Sequence, residues 1–468
     1  MINETNIDIK RQHFDKALRI DASFDAVRRD IITCGKKCSF YFIDGLTKDE
    51  VMLRIMDLFM KLKELDLSSV SDLKAFYDTY IPYVEVEGAK DGNAVVTGVL
   101  SGMTAMIVDG IPGAVLIDCR TYPVRGIEEP ENDKVLRGAR VGFVETLVFN
   151  AALIRRHIRD ARLSMKIKTV GTSSKTDVVL CYLDGVADKK LLSRIEQKID
   201  SIKAPCLSLG AESLAECLIK TGWYNPFPKI RYTERPDAAA ASIMEGSIIV
   251  LCDNSPSAMI LPTCIFDFLQ ETDDYYFPPL TGTYLRFVRC FVFFLTMFLS
   301  PLWYLLITHP EYIPEWLGFI TVESESALPI IVQLFLLEFA VDGLKLAALN
   351  TPSVLAGSFS IIGGLILGDF AVKVGWFVPE TILYTAFVSI ANFAQPSYEL
   401  GYAFKFMRLI LLALTALFAA SGFIFGVILS LVLIASNKTV DGQRHYLYPL
   451  FPFNARALSR LIVRRKLK

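Results

Sequence analysis

PPLTGTYLRFVRCFVFFLTMFLSPLWYLL, residues 278–306, divides the chain. Arg286 and Arg289 stand just ahead of residues 290–307, a run without Asp, Glu, Lys, Arg or His. At about 1.5 Å per residue it covers most of a roughly 30 Å hydrocarbon layer. It therefore reads as a first membrane crossing. Residues of ordinary soluble composition precede it, and apolar runs with very few charges follow over residues 328–435.

Composition agrees with that division. A length of 468 residues leaves room for two or three domains. The mean hydropathy of +0.39 and hydrophobic content of 52% are high for a soluble chain, and the excess lies after residue 287. A net charge of −1 supplies no concentrated basic surface, so nucleic acid is not an expected partner. The N-terminal residues contain no apolar signal core, so the head is expected on the cytosolic side. Nine cysteines, scattered and without a CxxC pair, read as reduced core residues.

The head looks duplicated. Residues 39–45 (SFYFIDG) read as a strand and turn, followed by a helix pattern over 46–65; residues 178–185 (VVLCYLDG) and 187–202 repeat that order. The second helix carries Leu191, Leu192, Ile195 and Ile199 on one face. Asp44-Gly45 aligns with Asp184-Gly185, and Arg54-Ile55 with Arg194-Ile195, at an offset of 140 residues. Residues 102–117 (GMTAMIVDGIPGAVLI) pair without a gap to 246–261 (GSIIVLCDNSPSAMIL) at an offset of 144, sharing Asp109/Asp253 and Pro112/Pro256. Both read as two strands around a tight turn. Two matches at nearly one offset indicate a duplicated subdomain.

Between the copies, a helix pattern from about 143 to 159 ends in Arg155, Arg156 and Arg159, with Arg162 beyond. These cations suit either an acidic lipid or partner face, or the negative end of their own helix. Catalytic signals are thin. His13, His157, His309 and His445 lie far apart, and neither a P-loop nor a GxGxxG after a strand occurs. No enzyme activity, metal or cofactor is expected.

In the apolar half, residues 309–326 carry acids but no Lys or Arg, which places them outside if the head is inside. Trp303, Tyr304, Tyr312 and Trp316 fit an aromatic belt there. Residues 328–349 contain Glu338, Asp342 and Lys345 at i, i+4, i+7, which share one helical stripe. Buried in lipid such groups cost several kcal/mol each, so the stripe must face water or a partner. It either lines an aqueous path, alone or repeated as a ring in a homo-oligomer, or pairs within its own helix. Asp369 and Asn392 are further candidates for pore lining. Counting each run once gives five crossings, which would leave the basic tail outside, so a re-entrant segment is expected, first at 358–372 and second at 328–349.

The expected division is a polar lead-in over 1–36, a first α/β subdomain with the basic helix over 37–165, its repeat over 166–285, a helical transmembrane domain over 286–436 and a basic cytosolic tail over 437–468. The fold class is α+β, multi-domain and membrane-bound.

Residues 137–160 (RGARVGFVETLVFNAALIRRHIRD), 224–237 (YNPFPKIRYTERPD), 245–274 and 448–453 (YPLFPF) resemble the GerA-type spore germination proteins, specifically their A subunits. The likeness runs over nearly the whole chain. It implies an inner-membrane location in endospore formers and a part in germination. It also implies an oligomeric assembly that releases ions with other membrane subunits, nutrient recognition falling mainly to a separate B subunit. Residues 351–355 (TPSVL), 395–401 (QPSYELG) and 448–458 point to one A-subunit homologue, for which amplification of a response is implied rather than nutrient sensing. The expected function is an ion-conducting subunit; the alternatives are a nutrient receptor whose head binds a small molecule, and a scaffold.

Overall fold

The computed structural model describes residues 4–20, 26–33, 35–44, 46–61, 72–121, 126, 128–130, 133–135, 138–219, 224–271, 273–322, 324–350, 361, 364, 370–440, 442–443 and 445–464. The chain forms two compact units, Met1–Arg125 and Gly126–Lys468.

The first unit is a five-stranded antiparallel sheet between two layers of helices. Its elements are α1 (Ile7–Leu18), β1 (Ala26–Thr33), β2 (Lys36–Ile43), α2 (Asp49–Lys61), α3 (Leu73–Tyr80), β3 (Val86–Ala89), α4 (Gly92–Leu100), β4 (Thr104–Val108) and β5 (Ala114–Ile117). The strand order is β1-β2-β4-β5-β3. β4 and β5 are buried throughout because both sheet faces are covered, which is why they read as unbroken apolar runs. Phe40, Met106 and Val115 meet Ile55 and Phe59 of α2 and Phe76 of α3 on one face. Tyr41, Ile107 and Leu116 meet Phe14 of α1 and Val95 and Val99 of α4 on the other.

The second unit opens on the same arrangement: α5 (Leu147–His157), β6 (Leu163–Val170), β7 (Thr176–Leu183), α6 (Lys189–Asp200), α7 (Ala211–Leu218), β8 (Arg231–Thr233), α8 (Pro236–Met244), β9 (Ile248–Cys252) and β10 (Ala258–Leu261). Its order, β6-β7-β9-β10-β8, copies the first strand for strand. β2 and β7 start 140 residues apart at Lys36 and Thr176, β4 and β9 start 144 apart at Thr104 and Ile248. The four apolar residues expected on α6 are all buried against this sheet. The shared hairpin aspartates have matching structural duties. Asp109 accepts the backbone N–H of Ile7 at 3.2 Å, and Asp253 that of Leu147 at 3.2 Å, each satisfying the exposed start of its unit's first helix.

Two expected boundaries differ from this architecture. Within the lead-in expected over 1–36, α1 and β1 belong to the first sheet unit, and their mixed composition reflects an edge strand and a helix with one buried face. The basic helix α5, expected with the first subdomain, packs on the second sheet as the counterpart of α1.

A short helix α9 (Asp273–Tyr276) leads from the second sheet into an apolar bundle of α10 (Pro279–Thr308), α11 (Ile330–Asn350), α12 (Pro379–Phe393) and α13 (Tyr398–Ser436). At the joint Asp274 is fully buried and binds Arg289 at 2.8 and 2.9 Å and Arg286 at 3.1 Å. Arg286 also donates to the Leu461 carbonyl at 3.1 Å, in the tail helix α14 (Ala455–Ile462).

α10 and α13 are long and apolar enough to cross a membrane. α13 is not one rod, however. Ala419 has φ 50° and ψ −132°, and the chain reverses there. Gly426 comes back beside Leu411 and Gly422 beside Leu414, so residues 398–418 and 420–436 form an antiparallel hairpin. The missing side chains at these glycines permit the close approach. α11 and α12 run the same way: Val378 N donates to Gln333 Oε1 at 3.0 Å near their starts, and Lys345 Nζ lies 4.1 Å from the Phe393 ring near their ends. The chain leaving Asn350 therefore resumes at Ala371 at the opposite end of the bundle. The tail then packs on the head side, where Val440 enters the second sheet's core and Tyr446 donates to the Pro228 carbonyl at 2.7 Å. The run over 406–435, read as one crossing, is thus the greater part of a hairpin, while most of 358–372, the first expected re-entrant segment, lies outside the described residues. Trp303 is buried and donates to the Ile320 carbonyl at 3.1 Å, so it is a core residue rather than part of an aromatic belt.

Candidate functional site: a charged cluster inside the apolar bundle

Glu338 and Asp342 lie one turn apart on α11 and face the first limb of α13, which brings Lys405 and Arg408 opposite them. Arg408 Nη2 sits 2.7 Å from both Glu338 carboxylate oxygens. Lys405 Nζ lies 3.2 Å from Glu338 Oε2 and 2.6 Å from Asp342 Oδ2. Arg408 Nη1 also donates to the Thr296 carbonyl on α10 at 2.6 Å, and the Thr296 hydroxyl accepts from Gln395 Nε2 at 2.7 Å. One network therefore ties α10, α11 and α13 together.

Glu338, Lys405 and Arg408 are each at most 5% exposed. Burial of this kind is tolerated because each charge meets its opposite, although Arg408 Nε is left without a hydrogen-bond partner. Asp342 differs: its side chain is 31% exposed, and Oδ1 has no hydrogen-bond partner. Lys345 pairs with neither acid of its stripe. It stacks on Phe393 at 4.1 Å and Tyr402 at 5.6 Å, a cation held by ring faces. The Asn392 amide, in the orientation its neighbours require, donates to the Gly401 carbonyl at 3.2 Å and accepts from Lys345 Nζ at 3.3 Å.

The stripe is thus split. Glu338 is sealed inside the bundle, while Asp342 and Lys345 reach its surface. Two carboxylates stand against three cations, so the cluster as a whole is not acidic. Asp369 lies outside the described residues. Sequence reasoning missed Lys405 and treated Arg408 only as an interruption of an apolar run. The available signal was their i, i+3 spacing, which complements the i, i+4 acids of α11.

The basic end of α5 is partly occupied by local duties. Arg155 donates to the carbonyls of Asp160 at 3.2 Å and Leu163 at 2.8 Å, and Arg162 pairs with Asp160 at 2.8 Å. These bonds from Arg162 hold the Asp160 carboxyl below its ordinary range. Arg156 and Arg159 remain on the exposed surface. Elsewhere in this unit, burial pushes the Asp237 carboxyl up, but hydrogen bonds from the buried Arg235 and from Tyr276 outweigh it and bring it below its usual value.

The family described as Bacillus/Clostridium GerA spore germination protein matches residues 12–468. The chain belongs to this GerA family. It is 37% identical over 460 residues to "Stage V sporulation protein AF" of Bacillus subtilis (strain 168), across 97% of this chain and 91% of that one. That is the A-subunit homologue to which residues 351–355, 395–401 and 448–458 pointed. Other GerA relatives include "Spore germination protein KA" of the same strain, 27% identical over 86% of this chain and 74% of that one. "Spore germination protein GerLA" of Bacillus cereus is 27% identical over 89% of this chain and 84% of its own length. A crystal structure of the N-terminal domain of the A subunit of the Bacillus megaterium spore germinant receptor GerK3 matches 55% of this chain and 94% of its own, at 23% identity and a TM-score of 0.22.

Proposed function

We propose that this chain is a multi-pass membrane subunit of a spore germination assembly that contributes to an ion path. In this reading it sits in the spore inner membrane with the sheet units and tail on the core side, beside other germination subunits and further copies of itself. α11 and α12 run the same way, and the second limb of α13 brings the chain back to the second sheet, where Val440 enters its core. Head and basic tail then share a side, as the positive-inside tendency requires.

The observation that carries the ion-path reading is Asp342. It is a partly exposed carboxylate at the edge of the contact between α11 and α13: Oδ2 meets Lys405, Oδ1 is buried without a hydrogen-bond partner, and the exposed Phe339 and Leu346 lie one turn to either side. Facing lipid, such a group costs several kcal/mol; facing water at an interface between copies it costs little. Asp342, Lys345 and Asn392 are therefore the groups assigned to the path, while Glu338 holds Lys405 and Arg408 in place behind them.

The test is ion flux through the full assembly in liposomes. Asp342→Asn and Lys345→Met are expected to change flux or selectivity with the protein retained. Unchanged flux with intact partners would replace the channel by a scaffold.

A second reading, that of a receptor, is favoured by a cavity of about 340 Å³ lined by Asp133, Glu212, Arg231, Tyr232, Glu271 and Glu399. Titrating the full-length protein with amino acids and sugars addresses it, and absence of binding removes it.

A further inference from the structure

The segment after the bundle carries an apolar, basic surface that neither the ion path nor the head uses. Leaving α13, the chain is pinned through Tyr446, which is buried and whose carbonyl accepts Ile265 N at 2.9 Å. The turn over residues 446–454 is tightly bonded to itself. Leu450 N donates to the Leu447 carbonyl at 2.8 Å, and Asn454 N to the Pro449 carbonyl at 2.9 Å. Asn454 also caps α14 by accepting Ala457 N at 3.1 Å, and donates to the Tyr448 hydroxyl at 3.0 Å.

This ordered turn holds large apolar side chains outward. Phe451 is 66% and Phe453 72% exposed, beside the half-exposed Leu450. A fixed backbone that presents adjacent rings to the outside is the mark of an interaction surface rather than of a frayed end. The C-terminal residues past this turn carry charge of one sign. After Asp441 there is no acidic residue, whereas Arg456, Arg460, Arg464, Arg465, Lys466 and Lys468 all lie beyond the turn.

The position of the segment selects the partner. α14 lies against the first turns of α10, where Arg286 donates to the Leu461 carbonyl and Arg464 N to the Thr283 hydroxyl at 3.2 Å. On those same turns the outward face of α10 becomes apolar, with Leu280, Tyr284 and Phe287 exposed. The basic helix is thus level with the start of the bundle's apolar perimeter.

We propose that residues 448–464 form an interfacial anchor on an anionic bilayer. Phe451 and Phe453 enter the boundary between headgroups and acyl chains, and the exposed Arg456 meets acidic headgroups. Apolar insertion supplies depth and the cations supply selectivity for acidic lipid. The inference rests on the reading of the bundle as membrane-embedded, and the test separates the two.

The full-length protein carries p-benzoylphenylalanine in place of Phe453, and in separate preparations in place of Phe287. Each is reconstituted into nanodiscs of phosphatidylcholine, with or without phosphatidylglycerol, illuminated, and its adducts are identified by mass spectrometry. Lipid adducts at 453 that rise with phosphatidylglycerol, and that fall roughly fivefold in an Arg456→Ala background, are the expected result. Adducts at 453 on protein, or lipid adducts indifferent to phosphatidylglycerol, overturn the proposal. Lipid adducts at 287 but none at 453 overturn it while leaving the bundle reading intact. Adducts at neither position overturn both.

Discussion

Replacing Glu338 by Gln tests whether the charged cluster is sealed. The substitution keeps the shape but removes the charge that Arg408 and Lys405 share at 2.7 and 3.2 Å. Both cations are nearly inaccessible, so water cannot take the place of the lost carboxylate. Breaking a buried pair in this way typically costs about 3 to 5 kcal/mol. Lys405 keeps Asp342 at 2.6 Å, so the loss falls chiefly on Arg408 and the lower part of that range applies. The double variant Glu338→Leu with Arg408→Met removes a cation along with the acid. It is expected to recover most of the loss, since apolar replacement of a whole buried pair is often neutral or better. The assay is reversible unfolding of the full-length protein in detergent micelles, carried out as a double-mutant cycle. A cost below about 1 kcal/mol for Glu338→Gln, the size seen for solvated pairs, would refute the sealed cluster. It would also return Glu338 to the ion path.

Two further perturbations probe the fold. Gly426→Val would press a branched side chain onto Leu411 in the α13 hairpin, and is expected to cost about 1 to 3 kcal/mol in the same unfolding assay, whereas Gly318→Ala, with open space at its Cβ, should be nearly silent. Lys10 in the first unit is buried, with Nζ donating to the Gly113 carbonyl at 3.1 Å, and burial lowers it to about 8. The unfolded chain then holds the proton longer than the folded one between pH 8 and 10.5. Stability contributed by this group rises with pH across that window, by at most about 1.4 kcal/mol per unit. Lys10→Met should remove that slope, measured as the difference between the two proteins' unfolding midpoints; parallel curves would show that Lys10 does not titrate there.

The duplication was legible because its carriers are local. Asp-Gly turns, two apolar strands around them and a helical stripe such as Leu191, Leu192, Ile195 and Ile199 keep their spacing when copied. The amphipathic α1 and the edge strand β1 were harder to see. Such elements bury only part of their surface, so their composition resembles a polar leader. The α13 hairpin was hidden for a different reason. No Pro or charge marks its bend at Ala419, and small residues at 422 and 426 are as common in a straight crossing as in a reversal. At the charged cluster, the stripe on α11 could be read from its own spacing. Its neutralising partners on α13 come together with it only through tertiary packing. One-dimensional periodicity names the face but not what lies across from it.

The joint at Asp274 has a mechanical consequence. A single carboxylate grips two arginines one turn apart on α10, and one of them in turn holds the tail helix. The junction of α9 with α10 and the tail helix, 175 residues further on, are thereby riveted at the point where the bundle begins. A tilt of α10 has no slack linker in which to dissipate, so the second sheet and the C-terminal helix must swing with it as one lever.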